Sequence, residues 1–181
     1  MEQFNEFLKT NILWVNILII VLIFTLAWGP RMLLGYKIKK MQAKGRYKDA
    51  MEYALSKQTL MFYFTRFQKD GIYLLIVLSA LMLDQNDVAD YYINKISSKN
   101  YQVSKTFLRI LYLILVNDIS NAEQNYLKLT SNNMSYSIRV QTLLKPYFDC
   151  KMHSNKDEEA INKIKQEVKN PVLLKIYNTL N

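Results

Sequence analysis

The sequence GRYKDAMEYAL, residues 45–55, contains a pattern that returns three more times along the chain. In each copy, a residue suited to a tight turn precedes an alanine by five positions. The four pairs are Gly45 and Ala50, Asp84 and Ala89, Asn117 and Ala122, and Asn155 and Ala160. Successive alanines are 39, 33 and 38 residues apart. This regular spacing predicts a repeated structural unit.

The turn residue and the alanine have different roles in this pattern. A Gly or Asn residue can adopt the left-handed conformation that ends a helix, and an Asp or Ser after it can cap the next helix. The alanine lets a neighbouring helix approach closely. In three copies, a bulky apolar residue four positions later lies on the same helix face and fills the interface. The pattern therefore predicts helical hairpins in which Ala50, Ala89, Ala122 and Ala160 pack the repeats.

The same spacing resembles the turn and second helix of the tetratricopeptide (TPR) repeat family, whose unit is near 34 residues. The resemblance covers about residues 34–167 and is degenerate. The family has a small residue midway along each first helix, whereas this chain has larger ones there, namely Ile38, Val77, Ile110 and Phe148. The family's Trp and closing Pro are also missing. The resemblance implies a TPR-like α-solenoid of about four hairpins, and an irregular helical bundle is the alternative.

The hydrophobic periods predict an all-α fold, and only four Gly and three Pro argue against an all-β one. Pro146 should bend or split the seventh helix near residues 143–145. The last helix should start at Asn170-Pro171, with Asn as its N-cap, and should close the open end of the stack. The predicted helices cover residues 10–44, 47–57, 70–84, 87–97, 104–116, 119–130, 134–152, 156–168 and those after 170.

The longest apolar run of the chain, ILWVNILIIVLIFTLAW, lies before the repeats at residues 12–28. A helix needs about 20 residues to cross roughly 30 Å of hydrocarbon. Trp14 and Trp28 lie near the two ends of the run, where Trp prefers to meet the bilayer surface. We predict a transmembrane helix over residues 11–34. A buried core helix and a cleaved signal peptide are the alternatives.

The net charge of +9 is concentrated beside this run. Residues 31–48 have a net charge of +7, whereas residues 1–30 have −1 and residues 49–181 have +3. The positive-inside rule then places the short N-terminal segment, residues 1–10, outside and the C-terminal side in the cytoplasm. The basic juxtamembrane segment, residues 35–48, also suits anionic lipids, so nucleic acid is not needed to explain the charge. The orienting cations are Arg31, Lys37, Lys39, Lys40 and Lys44.

Two shorter apolar runs, residues 72–83 and 107–116, belong to the predicted cytoplasmic helical domain, residues 45–181. Both are too short to cross a bilayer and favour buried helices. Two additional spans are the alternative.

Catalytic chemistry has no candidate set in this sequence. The chain has one Cys and one His, and it contains no P-loop, G-x-G-x-x-G or G-x-S-x-G motif. We therefore predict a protein that is not an enzyme and needs no cofactor or metal.

The stretch MFYFTRF, residues 61–67, lies between the first two repeats and contains the candidates Phe62, Phe64 and Phe67. These aromatics could dock a partner or dip into a membrane interface, and packing under the first hairpin is the alternative. The TPR resemblance implies a groove formed by the first helix of each hairpin. It implies that Phe107, Leu111 and Lys145 face that groove.

These features predict a non-catalytic, single-pass membrane protein with a cytoplasmic scaffold that binds another protein. The alternative is a structural accessory subunit of a larger membrane complex, in which Asn16 and Thr25 bond to other spans. The expected partners are another protein, itself in the membrane or not, and the lipid bilayer, and homo-oligomerisation is left open. The abundance of Lys, Asn, Ile and Tyr favours a bacterial source, with a eukaryotic organelle as the alternative.

Overall fold

The computed structural model describes residues 2–61, 64–130, 135–153 and 157–180. Within these ranges, the side chains of residues 2–11, 13, 24, 26–28, 30, 31, 60, 130, 136 and 153 are outside the description. Every regular element in the described ranges is helical, which confirms the all-α prediction. The α-helices are α1 (Glu2–Ala43), α2 (Tyr47–Ser56), α3 (Gln58–Met61), α4 (Arg66–Met82), α5 (Asn86–Lys95), α6 (Gln102–Leu115), α7 (Ile119–Thr130), α8 (Ser135–His153), α9 (Glu158–Glu167) and α10 (Pro171–Tyr177).

Three helical hairpins share the same turn. The first pairs the C-terminal end of α1 with α2, the second pairs α4 with α5, and the third pairs α6 with α7. The turn residues Gly45, Asp84 and Asn117 all adopt the left-handed conformation, with φ of 73°, 57° and 61°. In each turn, the next backbone N–H bonds to a carbonyl five residues earlier, which satisfies an orphan helix carbonyl. These bonds join Arg46 N to Met41 O (3.0 Å), Gln85 N to Ala80 O (2.9 Å) and Asp118 N to Leu113 O (2.8 Å). The fourth predicted turn residue, Asn155, lies outside the described residues.

The repeated alanines lie on the second helix of each hairpin. Ala50, Ala89 and Ala122 have no exposed surface, whereas Ala160 on α9 is partly exposed. Helix α9 packs against α8 and α10, at the margin of the fold. Because few helices pack around α9, its alanine is covered less completely than the other three.

The hydrophobic core is one continuous cluster centred on α4 and α6. Helix α4 contacts α1, α2, α5, α6 and α10. The first of the two short apolar runs, residues 72–83, belongs to α4 and its C-cap. The second run, residues 107–116, belongs to α6 and its C-cap. Both runs contribute fully buried side chains, among them Ile76, Val77, Ile110 and Leu111.

Of the two outcomes predicted at Pro146, a bend or a split, the split does not occur, because helix α8 continues through the proline. A proline lacks an N–H and disturbs the carbonyls of the preceding turn. Here the carbonyl of Leu143 accepts a hydrogen bond from Tyr177 Oη at 2.7 Å. This tertiary bond supplies a donor next to the proline ring. Burial raises the pKa of that Tyr177 hydroxyl above its ordinary value, so it stays protonated as a donor.

Helix α10 begins as predicted but lies elsewhere. Asn170 Oδ1 accepts from the N–H groups of Val172 (3.0 Å) and Leu173 (3.1 Å), and Pro171 occupies the first helical position. Instead of closing the end of the stack, α10 packs against α4, α6 and α9. It therefore contacts the first helices of the second and third hairpins.

A polar contact fixes this position of α10. Lys175 Nζ donates to Asp84 Oδ1 at 2.5 Å and to the carbonyl of Leu81 at 3.3 Å. Asp84, 91 residues earlier in the chain, lies in the turn that follows α4, and Leu81, 94 residues earlier, lies in the last turn of α4. Helix α10 is therefore bonded directly to one of the repeated turns, the turn at Asp84.

Candidate functional site

The C-terminal part of α1 packs against the helices that follow it. We call residues 34–180, which include this part of α1, the body. Leu34 and Ile38 are buried. Gln42, also buried, donates from Nε2 to the carbonyl of Leu75 at 2.7 Å and to Ser79 Oγ at 2.9 Å. A buried amide that is bonded to α4 at two points holds α1 in one orientation.

The preceding part of α1 has no such cover. Between Ile12 and Ile23, which we call the exposed segment, the described large apolar side chains other than the half-buried Val15 range in exposure from 41% at Ile17 to 67% at Leu18. Residues 17–23 are seven consecutive positions, and two helical turns point in all directions. The exposed surface is therefore apolar on every side, and it is a far larger patch than isolated surface hydrophobics make.

The structure describes some but not all side chains of the predicted membrane anchor. Trp14 is exposed, whereas the side chains of Trp28 and Arg31 are outside the described set. Thr25 Oγ1 donates to carbonyls of its own helix, those of Val21 (2.9 Å) and Leu22 (3.0 Å). In the described part of the chain, whose side chains have gaps within α1, none of the helices combines the length and apolar character that crossing a membrane requires.

A cleft with four cations, the basic groove, lies between α1 and α2 and has a volume of about 570 Å³. Lys37 Nζ lies 4.4 Å from the centre of the Tyr53 ring, a cation–π contact. Arg46 Nε pairs with Asp49 Oδ2 at 2.6 Å on the first turn of α2. The groove is lined by Leu33, Tyr36, Lys37, Lys40, Met41, Lys44, Arg46 and Tyr53.

A second cleft, the aromatic groove, lies on the other side of Tyr36, between α1 and α4, and has a volume of about 400 Å³. Phe67 stacks on Tyr101 with ring centres 4.8 Å apart and planes 15° apart, yet it stays 48% exposed. Burial, and then the nearby carboxylate of Asp70, raise the pKa of Tyr101. The groove is lined by Met32, Gly35, Tyr36, Lys39, Phe64, Phe67, Gln68, Gly71, Ile72, Leu75 and Tyr101.

The first turn of α4, which lines part of the aromatic groove, is stabilised by side-chain hydrogen bonds. Thr65 and Gln68 form a reciprocal capping box: Gln68 N donates to Thr65 Oγ1 at 3.4 Å, and Thr65 N donates to Gln68 Oε1 at 3.0 Å. A Cβ atom at Gly71 would come within 3.2 Å of the Tyr101 hydroxyl. A side chain at position 71 would therefore require the Tyr101 hydroxyl to shift by a few tenths of an ångström.

The structure separates the predicted partner-binding residues into two groups. Phe64 and Phe67 meet at the aromatic groove, and Phe62 lies outside the described residues. Leu111 is fully buried in the core, so it does not face an open groove. Phe107 is also buried and only borders a cleft formed with α8 and residues 167–170. Both side chains belong to the continuous hydrophobic core, in which α6 is packed by α4, α5, α7, α8 and α10.

Lys145 stands apart from both groups. It is exposed on α8, where Nζ lies 2.5 Å from Asp149 Oδ2, and this hydrogen bond raises the pKa of Lys145. An i,i+4 pair of this kind is an ordinary feature of a solvated helix face.

Sequence reasoning missed the basic groove as a shaped site. The signal available was the spacing of Leu33, Lys37, Lys40 and Lys44, which places them on one face of α1. Tyr53 could not be assigned to that face, because only the hairpin turn at Gly45 brings α2 beside it. Elsewhere in the described residues, no three His, Cys, Asp or Glu side chains come together as metal ligands would.

No protein-family model matches the chain, and no curated protein or solved structure matches it either. The resemblance to the TPR family therefore stays a prediction from the sequence.

Proposed function

We propose that the protein is a membrane-anchored scaffold without catalytic activity that binds another protein on the cytoplasmic side of a cell membrane. In this proposal, residues 11–34 form a single transmembrane helix, residues 1–10 lie outside, and residues 45–181 form a TPR-like cytoplasmic domain. The observation that carries the proposal is the apolar surface on every side of α1 over residues 17–23. Lipid would cover all sides at once, whereas one flat protein surface would cover a single face.

The membrane proposal has a direct test in the full-length chain. We expect wild type to stay with membranes through alkaline carbonate extraction. Protease should reach the body only from the cytoplasmic face. The double variant Leu18→Lys/Leu22→Lys should be released, because each Lys at a helix centre costs about 3 kcal/mol of insertion free energy.

The matched control places one Lys at an equally exposed leucine of the body, Leu127→Lys, and should stay in the membrane fraction. Carbonate release of the wild-type chain would contradict the proposal.

The aromatic groove is the proposed protein-binding surface. Its rim carries Met32, Tyr36 and Phe67, all exposed, around a buried floor that includes Phe64. Aromatic and Met side chains are enriched in the cores of protein interfaces, where they bury large apolar areas. The groove also directly follows the proposed span, so a partner held there would itself lie close to the membrane.

Capture from detergent-solubilised membranes tests this surface. We expect Met32→Ala/Phe67→Ala to lose the partner that wild type retains, since two apolar anchors are removed. Tyr91→Ala is the control, because it deletes a comparably exposed aromatic from α5, outside both grooves. Equal capture by both variants would exclude the aromatic groove as the binding surface.

The second candidate function is a structural subunit of a larger membrane complex, and the exposed segment is the observation that favours it. Other membrane helices could cover those apolar side chains as well as lipid could. The discriminating experiment exchanges residues 11–30 for an unrelated span. The exchange stops at 30 because Met32 lines a groove and Leu34 packs in the body. A scaffold should keep its partner after the exchange, whereas an embedded subunit should lose its complex.

A further inference from the structure

We propose that the basic groove binds the headgroup of one anionic phospholipid, an inference that depends on the membrane location proposed above. Four of the eight lining residues are cations: Lys37, Lys40, Lys44 and Arg46. Among the lining residues there is no carboxylate. The adjacent Asp49 already pairs with Arg46. An excess of positive charge in a concave site favours a phosphate group.

The other lining residues explain why the ligand is an amphiphile and not free phosphate. Leu33 and Met41 are apolar, and Tyr36 and Tyr53 add ring surface. A small inorganic anion has nothing to place against these groups. A phospholipid has both parts, since its phosphate meets the cations and its glycerol and acyl atoms meet the apolar wall.

The order of the lining residues along α1 matches the direction of a lipid. Leu33 comes first, nearest the exposed segment, and Lys37, Lys40 and Lys44 follow on the same face. At 1.5 Å per residue, Leu33 and Lys44 are about 16 Å apart along the axis. The apolar end of the groove therefore points toward the proposed bilayer. The long Lys side chains can extend toward its phosphate layer.

The groove is also held in place before any lipid arrives. Ile38 and Gln42 fix this part of α1 to the body, and Tyr53 holds Lys37 by the cation–π contact at 4.4 Å. A site whose side chains are already positioned loses less conformational entropy on binding. This distinguishes a lipid site from the general attraction of a polybasic segment to an anionic membrane.

The test uses the full-length chain in neutral detergent micelles, with dioctanoyl-phosphatidylglycerol as the probe and lipid binding measured by native mass spectrometry and titration. Lys40→Gln/Lys44→Gln removes two charges inside the groove. Lys39→Gln/Lys48→Gln removes two charges from the same basic stretch outside it, although Lys39 borders the aromatic groove. We expect the first pair to weaken affinity about tenfold or more, at about 1 kcal/mol per cation, and the second pair to change it less than about threefold.

Three outcomes would overturn the lipid site. Equal losses from both pairs would mean diffuse charge attraction. Equal binding of dioctanoyl-phosphatidylcholine, whose choline neutralises the headgroup, would mean that the groove does not distinguish an anionic headgroup from a neutral one. Equal affinity for glycerol 3-phosphate would mean that the acyl chains contribute nothing. Because the assay is run in micelles, its result is separate from carbonate extraction, which tests the membrane location itself. Circular dichroism confirms that each variant is folded.

Discussion

The two parts of α1 have the same backbone conformation and opposite surroundings. From Ile17 to Ile23 the apolar side chains are exposed in all directions, whereas from Leu34 to Gln42 one face is buried in the body. The second part has two further faces, one on each groove. The difference lies in the side-chain pattern, since apolar residues on all faces require an apolar solvent and a single apolar stripe requires a protein neighbour. Substitutions matched between the two parts test this comparison.

The largest effect is expected from truncating isoleucine. Ile38→Ala should lower the free energy of unfolding of the body by about 2–5 kcal/mol, because it opens a cavity in a fully buried site. Ile20→Ala, the same truncation in the exposed segment, should leave that free energy within about 0.5 kcal/mol of wild type. Chemical denaturation in micelles, followed by circular dichroism, measures both. Similar losses from the two variants would mean that the exposed segment packs on the body.

An intermediate effect is expected where α1 bonds to α4. Gln42→Leu should destabilise the body by about 1–3 kcal/mol, because the buried hydroxyl of Ser79 loses a donor and the amide bonds to α4 disappear. Gln102→Leu is the control, since its described bond goes to Ser98 within the same turn. The same denaturation curves serve here. A neutral Gln42→Leu variant would show that apolar packing alone orients α1.

The smallest effect, and one of opposite sign in the two parts, is expected from glycine. Gly45→Ala should destabilise by about 1 kcal/mol, since position 45 has φ of 73°. Gly29→Ala should strengthen the helix by up to about 1 kcal/mol, because residue 29 is helical and none of the described atoms would lie within 4 Å of the added Cβ. Thermal unfolding and helix content separate the two. Loss of helix in Gly29→Ala would contradict a continuous α1.

The hairpins were predictable because their turns are local. Gly45, Asp84 and Asn117 each have a conformation that few residue types tolerate, so the sequence itself marks the turns. The first helix boundary was wrong by eight residues, since α1 begins at Glu2 and not at residue 10, and the four-residue α3 was missed. Polar residues ahead of an apolar run, and a single helical turn, leave too little periodicity to detect.

The features that sequence reasoning could not reach all depend on distant partners. Helix α8 is not split at Pro146, and the bond from Tyr177 to Leu143 next to that proline joins residues 34 positions apart. Leu111 was expected to face a groove, but it is fully buried on α6, a helix that packs against several others. Among the residues of the candidate site, Phe64 and Phe67 were predicted only because they belong to the unusually aromatic stretch at residues 61–67. The basic groove could not be predicted in this way, because it forms only where α1 contacts α2.

The placement of α10 also has a consequence for how the body unfolds. In most helical repeats each unit touches only its neighbours, so the array can melt from one end. Here Lys175 joins the last helix to the turn after α4, 91 residues earlier, and α10 also packs on α6. The second hairpin therefore cannot be lost without loosening the last helix. We expect the three hairpins and α10 to melt in one cooperative transition. A growing chain can complete the body only after Tyr177 has emerged from the ribosome.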